Sequence, residues 1–555
     1  MNRTYLCGFL AAAICVAGCT APNPGSSMAS KPTPHLFEGM GRLHRGVTTT
    51  SAQAQKYFDQ GLVWTFAFNH DEAIRSFTEA ARLDPSCAMA WWGIALANGP
   101  HINNPVMDAA HSRAAWEAME NARFRAGASS PVEQALIRAL GQRYAETPPK
   151  DRQPLNEAYA RSMRDVWESN RNDTDIGVLF AESMMDLRPW DLWTKAGTPH
   201  PGTEEIVSTL EDVLRKAPNH PGALHMYIHA VEGSPTPERA MDVANRLCRE
   251  VPASGHLMHM PSHIYVRTGR WKEAGEANVR AIASDADYRA LRPRQGFYRL
   301  YMAHNTHFLA YAAMMRGQSD LAIRTSRDVV NGIPADFARD FPDLTDSFMG
   351  VTYDALKRFG HWDAILDMPK PASRFLFTRA MWRFSRGVAY SAKGQVADAR
   401  REQAEFRKAV AKVKPDMPIG NNKAGSVLAV AEHMLEGEIR FAKQETDAAV
   451  AALTRAVELE DGLAYNEPPD WVQPVRHTLG AVLVRAKRFG EAEKVYREDL
   501  KKLQHNGWSL YGLAACLRAK GDATQAADVE ARFKAAWAEA DMKIGASCLC
   551  AERMD

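Results

Sequence analysis

The stretch "AQKYFDQGLVWTFAFNHDEAIRSFTEAARLDP", residues 54–85, decides the fold. Its apolar residues recur at intervals of three and four, the period of a helix with one buried face. Small and large residues take turns along it: Tyr57, Gly61, Trp64, Ala73, Phe77 and Ala80. Small side chains let two antiparallel helices approach closely, and large ones fill the gap between them. Pro85 ends the second helix, because the residue before a proline is pushed out of helical conformation.

This order of large, small and proline residues resembles the tetratricopeptide repeat (TPR). A second clear unit is "LGAVLVRAKRFGEAEKVYREDL", residues 479–500, with Gly480, Ala492 and Tyr496 in the same order. Weaker copies occupy residues 383–406, 436–460 and 508–533. The resemblance covers most of the chain after about residue 50. It implies an all-α fold: a TPR-like α-solenoid of antiparallel helix pairs, wound into a right-handed superhelix. The connections "GPHINNPVM", "LRPWDLWTKAGTPHPG", "FARDFPDLTD" and "YNEPPDWVQPVRH" are longer than plain repeats need. These Pro- and Trp-rich insertions read as loops that cover or fill a groove, packing being the default role of their rings.

The chain opens with a processing signal. "MNRTY" supplies one positive charge, and residues 6–16, "LCGFLAAAICV", are apolar but too short to span a bilayer. "VAGC" follows, ending at Cys19. Small residues before a cysteine resemble the lipobox of bacterial lipoproteins, which implies cleavage before Cys19 and its diacylation. Thr20 in place of aspartate implies, by the same resemblance, outer-membrane sorting and a protein facing the periplasm, held by lipid alone. An ordinary cleaved signal peptide is the alternative. The expected organisation is a signal peptide over 1–18, a lipidated cysteine and tether over 19–48, and helical repeats over 49–150, 151–330, 331–420 and 421–555. The 151–330 region is the histidine-rich one.

Composition excludes several classes. The 555 residues are 46% hydrophobic and 24% charged, ordinary for a folded soluble protein. A net charge of +2, with Lys and Arg dispersed, argues against a nucleic-acid surface. Few cysteines in so large a chain argue against a disulfide scaffold. Cys87, Cys248 and Cys516 fall in helical patterns and read as small core residues. Cys548 and Cys550, in "SCLC", either pair as a strained disulfide or offer thiolates to a metal.

The chemistry concentrates in "SGHLMHMPSHIYVRTGRW", residues 254–271. Aligned to the repeat, His256, His259 and His263 take positions 2, 5 and 9 of a first helix. At about 100° per residue these span about a 60° arc. In the preceding repeat His225 and His229 take positions 5 and 9, and Glu232 position 12. His225 to His259 is 34 residues, as is His229 to His263, and 34 is the repeat period. In the following repeat His304 and His307 take positions 2 and 5, and Tyr311 position 9. By resemblance these positions line the concave groove, so seven imidazoles from three successive helices are expected to face inward together, as one site or as two adjacent sites.

Neutral imidazole suits Zn, Cu, Fe or Ni, and an i,i+4 pair supplies two ligands from one helix face. The candidate ligands are His225, His229, His256, His259, His263, His304 and His307, with Glu182, Asp186 and Glu232 as carboxylate partners. Two other readings stand beside a metal: a groove holding a peptide carboxylate or other anion, and plain polar packing. Pro261 is a difficulty. It either kinks the helix or starts a new one, which would take His256 and His259 off the shared face. Met226, Met258, Met260, Met302, Met314 and Met315 are nearby, with core filling as their expected role.

Two functions fit. The first is a scaffold for an envelope protein or peptide, since stacked repeats present an extended surface. The second is a metal-dependent hydrolase or oxygenase built in the groove. No HExxH, GxSxG, P-loop or Rossmann motif supports a particular reaction.

Overall fold

The computed structural model describes residues 34–552. The expected signal peptide, Cys19 and the first part of the expected tether lie outside them. The chain forms two compact units. Met1–Ser234, Arg246–Leu257 and Arg292–Tyr298 make the first, and Pro235–Asn245, Met258–Leu291 and Arg299–Asp555 the second. The division therefore falls inside segment 151–330 and not at its ends.

The first unit is built of TPR-like helix pairs. Ala52–Phe66 packs on His70–Leu83, Ala88–Ala97 on Ala109–Arg125, and Thr174–Met185 on Thr203–Lys216, with Pro221–Glu232 following. Ser51, Asn69, Asp108 and Asp173 cap helix starts by accepting from the backbone N–H three residues on. The small-to-large order has a direct structural reading at Phe77. A Cβ on Gly61 would stand 2.7 Å from that ring, and one on Gly93 2.5 Å. Glycine on both flanking helices is what lets the ring lie between them.

The expected tether ends earlier than 48. Tyr57 donates to the Pro34 carbonyl at 2.8 Å, and Gln60 Oε1 accepts from the Phe37 N–H at 2.8 Å. Arg45 is buried and ion-paired with Asp173 and Asp175 at 2.8 and 3.0 Å. Residues 34–48 thus pack on the first unit, because Arg45 has carboxylates to meet.

The second unit repeats the plan. Pro261–Arg267 packs on Trp271–Leu291, Leu376–Ala392 on Val396–Val410, Ala424–Ala442 on Thr446–Asp461, Val475–Arg485 on Phe489–Lys502, and Gly507–Ala519 on Ala523–Ala536. Tyr496 here takes the place of Phe77: Cβ atoms on Gly480 and Gly512 would stand 2.4 and 2.1 Å from its side chain. Among the described residues, strand is confined to a ribbon of Pro418–Ile419 with Asn422–Lys423. No helix among them is long and apolar enough to cross a membrane. The fold is all-α and TPR-like, as the repeat pattern implies.

Candidate metal centres

Six of the seven histidines come together, but as two groups of three. In the first unit His225, His229 and His256 each offer a ligand atom, all within 4.8 Å of one another. In the second unit His259, His263 and His304 do the same. Of one shared site or two adjacent ones, the structure has two, and the parting falls between His256 and His259 on the one short helix Gly255–His259. Pro261 cannot donate to Leu257, so that helix stops and a new one, Pro261–Arg267, starts with proline at its first position. This break lies between His259 and His263 and does not part them. His259 and His263 still meet, with Nε2 atoms 2.8 Å apart.

One rule builds both triads. Each takes positions 5 and 9 of one repeat and position 2 of the next. His225 and His229 sit one turn apart on Pro221–Glu232, and His256 Nε2 approaches His225 Nε2 to 3.1 Å. His304 Nε2 approaches His259 Nε2 to the same distance. A third triad would start at His307, but position 9 there is Tyr311. His307 belongs to neither triad, and burial lowers its pKa to about 4.

Partners behind the rings fix which nitrogen carries the proton. His225 Nδ1 donates to the Phe66 carbonyl at 2.6 Å. His229 Nδ1 meets the Glu232 carboxylate at 2.7 Å. Glu232 is therefore a support for His229 and not a member of the triad. In the second unit Asn278 donates from Nδ2 to the Ala274 carbonyl at 2.8 Å, which orients its amide. Its Oδ1 then faces His259 Nδ1 at 2.7 Å. An amide oxygen only accepts, so His259 carries its proton on Nδ1 and a lone pair on Nε2. The same holds for His225. Both Nε2 lone pairs point to the other rings of their triads.

The surroundings are aromatic. Phe68 packs on His225, His229 and His256, with ring centroids 4.6, 6.1 and 5.8 Å away. Phe308 plays that part for His259, His263 and His304, at 5.0, 5.2 and 5.8 Å. Phe68 and Trp190 hold φ of 55° and 61°, left-handed values that bulky residues seldom adopt. Trp190 also meets His229 edge-on at 5.2 Å. Phe68 and Trp190 both touch the His229 imidazole, while Gln444, Lys487 and His505 adopt the same conformation in turns elsewhere.

Two of the four loop insertions reach the first triad. Trp193 donates its indole N–H to the Ala230 carbonyl on the helix of His225 and His229, at 2.8 Å. His101, in "GPHINNPVM", stacks on Phe68 at 4.2 Å and lies 4.5 Å from the His70 ring. Burial first, and then His70, Arg143, His225 and His229, hold His101 well below its ordinary pKa. Sequence reading did not single out His70, His101, Asn278 or Phe308. Only the unusual length of the first loop pointed toward His101.

Glu182 and Asp186 are placed elsewhere. Asp186 pairs with buried Arg143, whose guanidinium also reaches the Pro100 carbonyl at 2.9 Å. Burial, then Asp186, holds Glu182 well above its ordinary pKa. Burial brings Asp186 to about 6 against the pull of Arg143. Neither carboxylate is in a triad, because Arg143 takes the charge that a metal would have taken. Glu182, Arg143 and His70 instead line a small cavity with Phe66, Phe68 and Met226. The six methionines near the histidines are buried, as core filling requires.

No family model matches this sequence, and no curated protein matches it. Among solved structures, the chain is similar to one titled "Crystal structure of APC/C hetero-tetramer Cut9-Hcn1", at 15% identity and a TM-score of 0.33, covering 87% of this chain and 76% of that one. It is also similar to the human IFIT1 dimer with m7Gppp-AAAA, at 12% identity and a TM-score of 0.35, covering 89% and 92%. Likeness at this level bears on neither ligand nor partner, and the fold rests on the helix pairs themselves.

Proposed function

We propose that this chain is a metal-binding helical-repeat scaffold in which each histidine triad holds one transition-metal ion. The observation that carries this reading is the convergence of three imidazole ligand atoms within 4.8 Å, twice, by the same repeat rule. Two nitrogens bound to zinc at about 2.05 Å and the tetrahedral angle stand about 3.3 Å apart. The contacts of 2.8 to 3.1 Å are close to that spacing. Hydrogen bonding alone accounts poorly for the second triad. His263 and His304 both bring Nε2 to the single lone pair on His259 Nε2, which two N–H donors cannot share well. A cation at the centre uses one lone pair from each ring. The Glu232 and Asn278 contacts are the supports that metal-bound histidines have.

Burial of five of the six rings suits a structural ion in a scaffold, whose outer surface is left for an envelope protein or peptide. The lipobox reading of residues 16–19 adds a lipid on Cys19 and an outer-membrane, periplasm-facing location. The mass of the mature N-terminus tests it, with loss of membrane retention in Cys19→Ala.

The metal reading is tested by elemental analysis of the purified full chain after exposure to Zn, Cu, Fe or Ni. Two equivalents of one metal are expected. His225→Ala with His256→Ala should remove one, and His259→Ala with His304→Ala the other. A folded chain that takes up none of the four would refute it.

A metal-dependent enzyme is the second reading, and one observation favours it. The cavity lined by Glu182, Arg143 and His70 includes Met226, next to His225 in sequence. A metal in the first triad with an exchangeable water ligand, seen by electron–nuclear spectroscopy of a copper-loaded sample, would support this reading.

A further inference from the structure

We propose that Cys548, Cys550 and Glu438 form a third cation site, open when the two cysteines are thiols and closed when they are a disulfide. The three residues each offer a ligand atom within 4.8 Å of the others, and all are buried. They come from different parts of the second unit. Glu438 lies on Ala424–Ala442, and the cysteines lie in the C-terminal segment. In this structure the cysteines are joined.

Three features separate this pair from a structural staple. The bridge closes a loop with a sequence separation of only 2, and so short a loop removes little chain entropy from the unfolded state. Glu438 is 2% exposed, and its Oε1 has no hydrogen-bond partner. A buried carboxylate oxygen in that condition is costly unless something meets it. Weak polar contacts also reach each sulfur. Gln473 Nε2 stands 3.5 Å from Cys548 Sγ, and Cys550 Sγ stands 3.8 Å from Thr478 Oγ1. Ala481, Ala551, Trp362, Phe441 and Ala546 pack around the cysteines, and Lys357 is the charge that Glu438 feels, a largely dry setting that strengthens charge interactions.

Opening the site takes two electrons and two protons. A dithiol supplies both: its sulfurs become a disulfide, the Cys548–Cys550 bond breaks, and each cysteine leaves as a thiol. A borderline or soft divalent cation then displaces the two thiol protons to solvent and binds two thiolates and the carboxylate, a donor set suited to zinc. This site shares no residue with the histidine triads and stands or falls apart from them.

Cobalt(II) is the probe. Thiolate ligation gives a near-ultraviolet sulfur-to-cobalt charge-transfer band, which imidazole sites lack. After reduction with a phosphine, the full chain should gain two titratable thiols and show that band on cobalt titration. The oxidised chain and Cys548→Ser should lack it, and Glu438→Gln should shift its midpoint at least tenfold upward. Zinc should also slow alkylation of Cys548 and Cys550 in the reduced wild-type chain, a readout that needs no variant to fold. Reduced protein with no band and no protection would overturn the proposal, as would a midpoint that Glu438→Gln leaves unmoved.

Discussion

Asn278 holds His259 by the back of the ring: its Oδ1 lies 2.7 Å from His259 Nδ1, while its own Nδ2 is tied to the Ala274 carbonyl. The imidazole cannot then rotate or change tautomer without breaking a buried hydrogen bond. Supports of this kind are worth about 10- to 100-fold in metal affinity. Asn278→Ala is therefore expected to weaken the second triad by that factor and leave the first unchanged. Competition with a chromophoric chelator resolves the two sites, and equal weakening of both would count against the assignment.

Glu232 does the same for His229, 2.7 Å away and buried. Glu232→Ala should lower affinity at the first triad by about 10-fold or more. Glu232→Gln, whose amide oxygen still accepts, should recover much of it. If the carboxylate were itself a ligand, the glutamine variant would be as poor as the alanine one.

His304 and His307 are three residues apart and have different expected roles. His304→Ala should remove one bound metal per chain. His307→Ala should keep both, since His307 is in neither triad. Elemental analysis of the two variants side by side decides this.

The stability contributed by two buried carboxyls, Glu460 and Asp470, should fall as pH rises from about 4 toward 8. Burial raises Glu460 to about 8, with Arg476 opposing, and Asp470 to about 7, with Asn422 and Asn466 opposing. Unfolded carboxylates ionise near pH 4, so the folded chain binds the extra protons within this window and loses stability as they leave. Each group contributes a slope of about 1 kcal/mol per pH unit. Glu460→Gln with Asp470→Asn should melt increasingly above the wild type between pH 5 and 8. Parallel melting curves across that range would contradict the assignment.

Tyr496 needs glycine on both sides. Gly480→Ala or Gly512→Ala would bring a methyl group within 2.4 or 2.1 Å of its side chain. Overpacking of this kind costs about 1 to 3 kcal/mol. Chemical denaturation measures the loss, and Tyr496→Phe should restore little of it, because the clashes include ring carbons.

Much of this architecture was legible in the sequence because helix pairing depends on side-chain size at fixed intervals, and size is written residue by residue. The 34-residue spacing of His225 and His259 was equally legible. Which arrangement the rings take was not, because it depends on packing that sends His256 and His259, three residues apart on one short helix, to different neighbours. Glu182 was misplaced for a related reason. Its charge suited a metal, but Arg143, far away in sequence, reached Asp186 first. Asn278 carried no signal at all, since its importance lies in one contact across a helix pair.

Because each triad joins position 9 of one repeat to position 2 of the next, a bound ion would act as a rivet across a seam where neighbouring repeats otherwise meet only by packing. Repeat arrays melt by such seams, and whatever binds only the closed form slows their opening. Chelation should therefore speed amide hydrogen exchange first in Pro221–Glu232 and Pro261–Arg267, well before the C-terminal repeats respond.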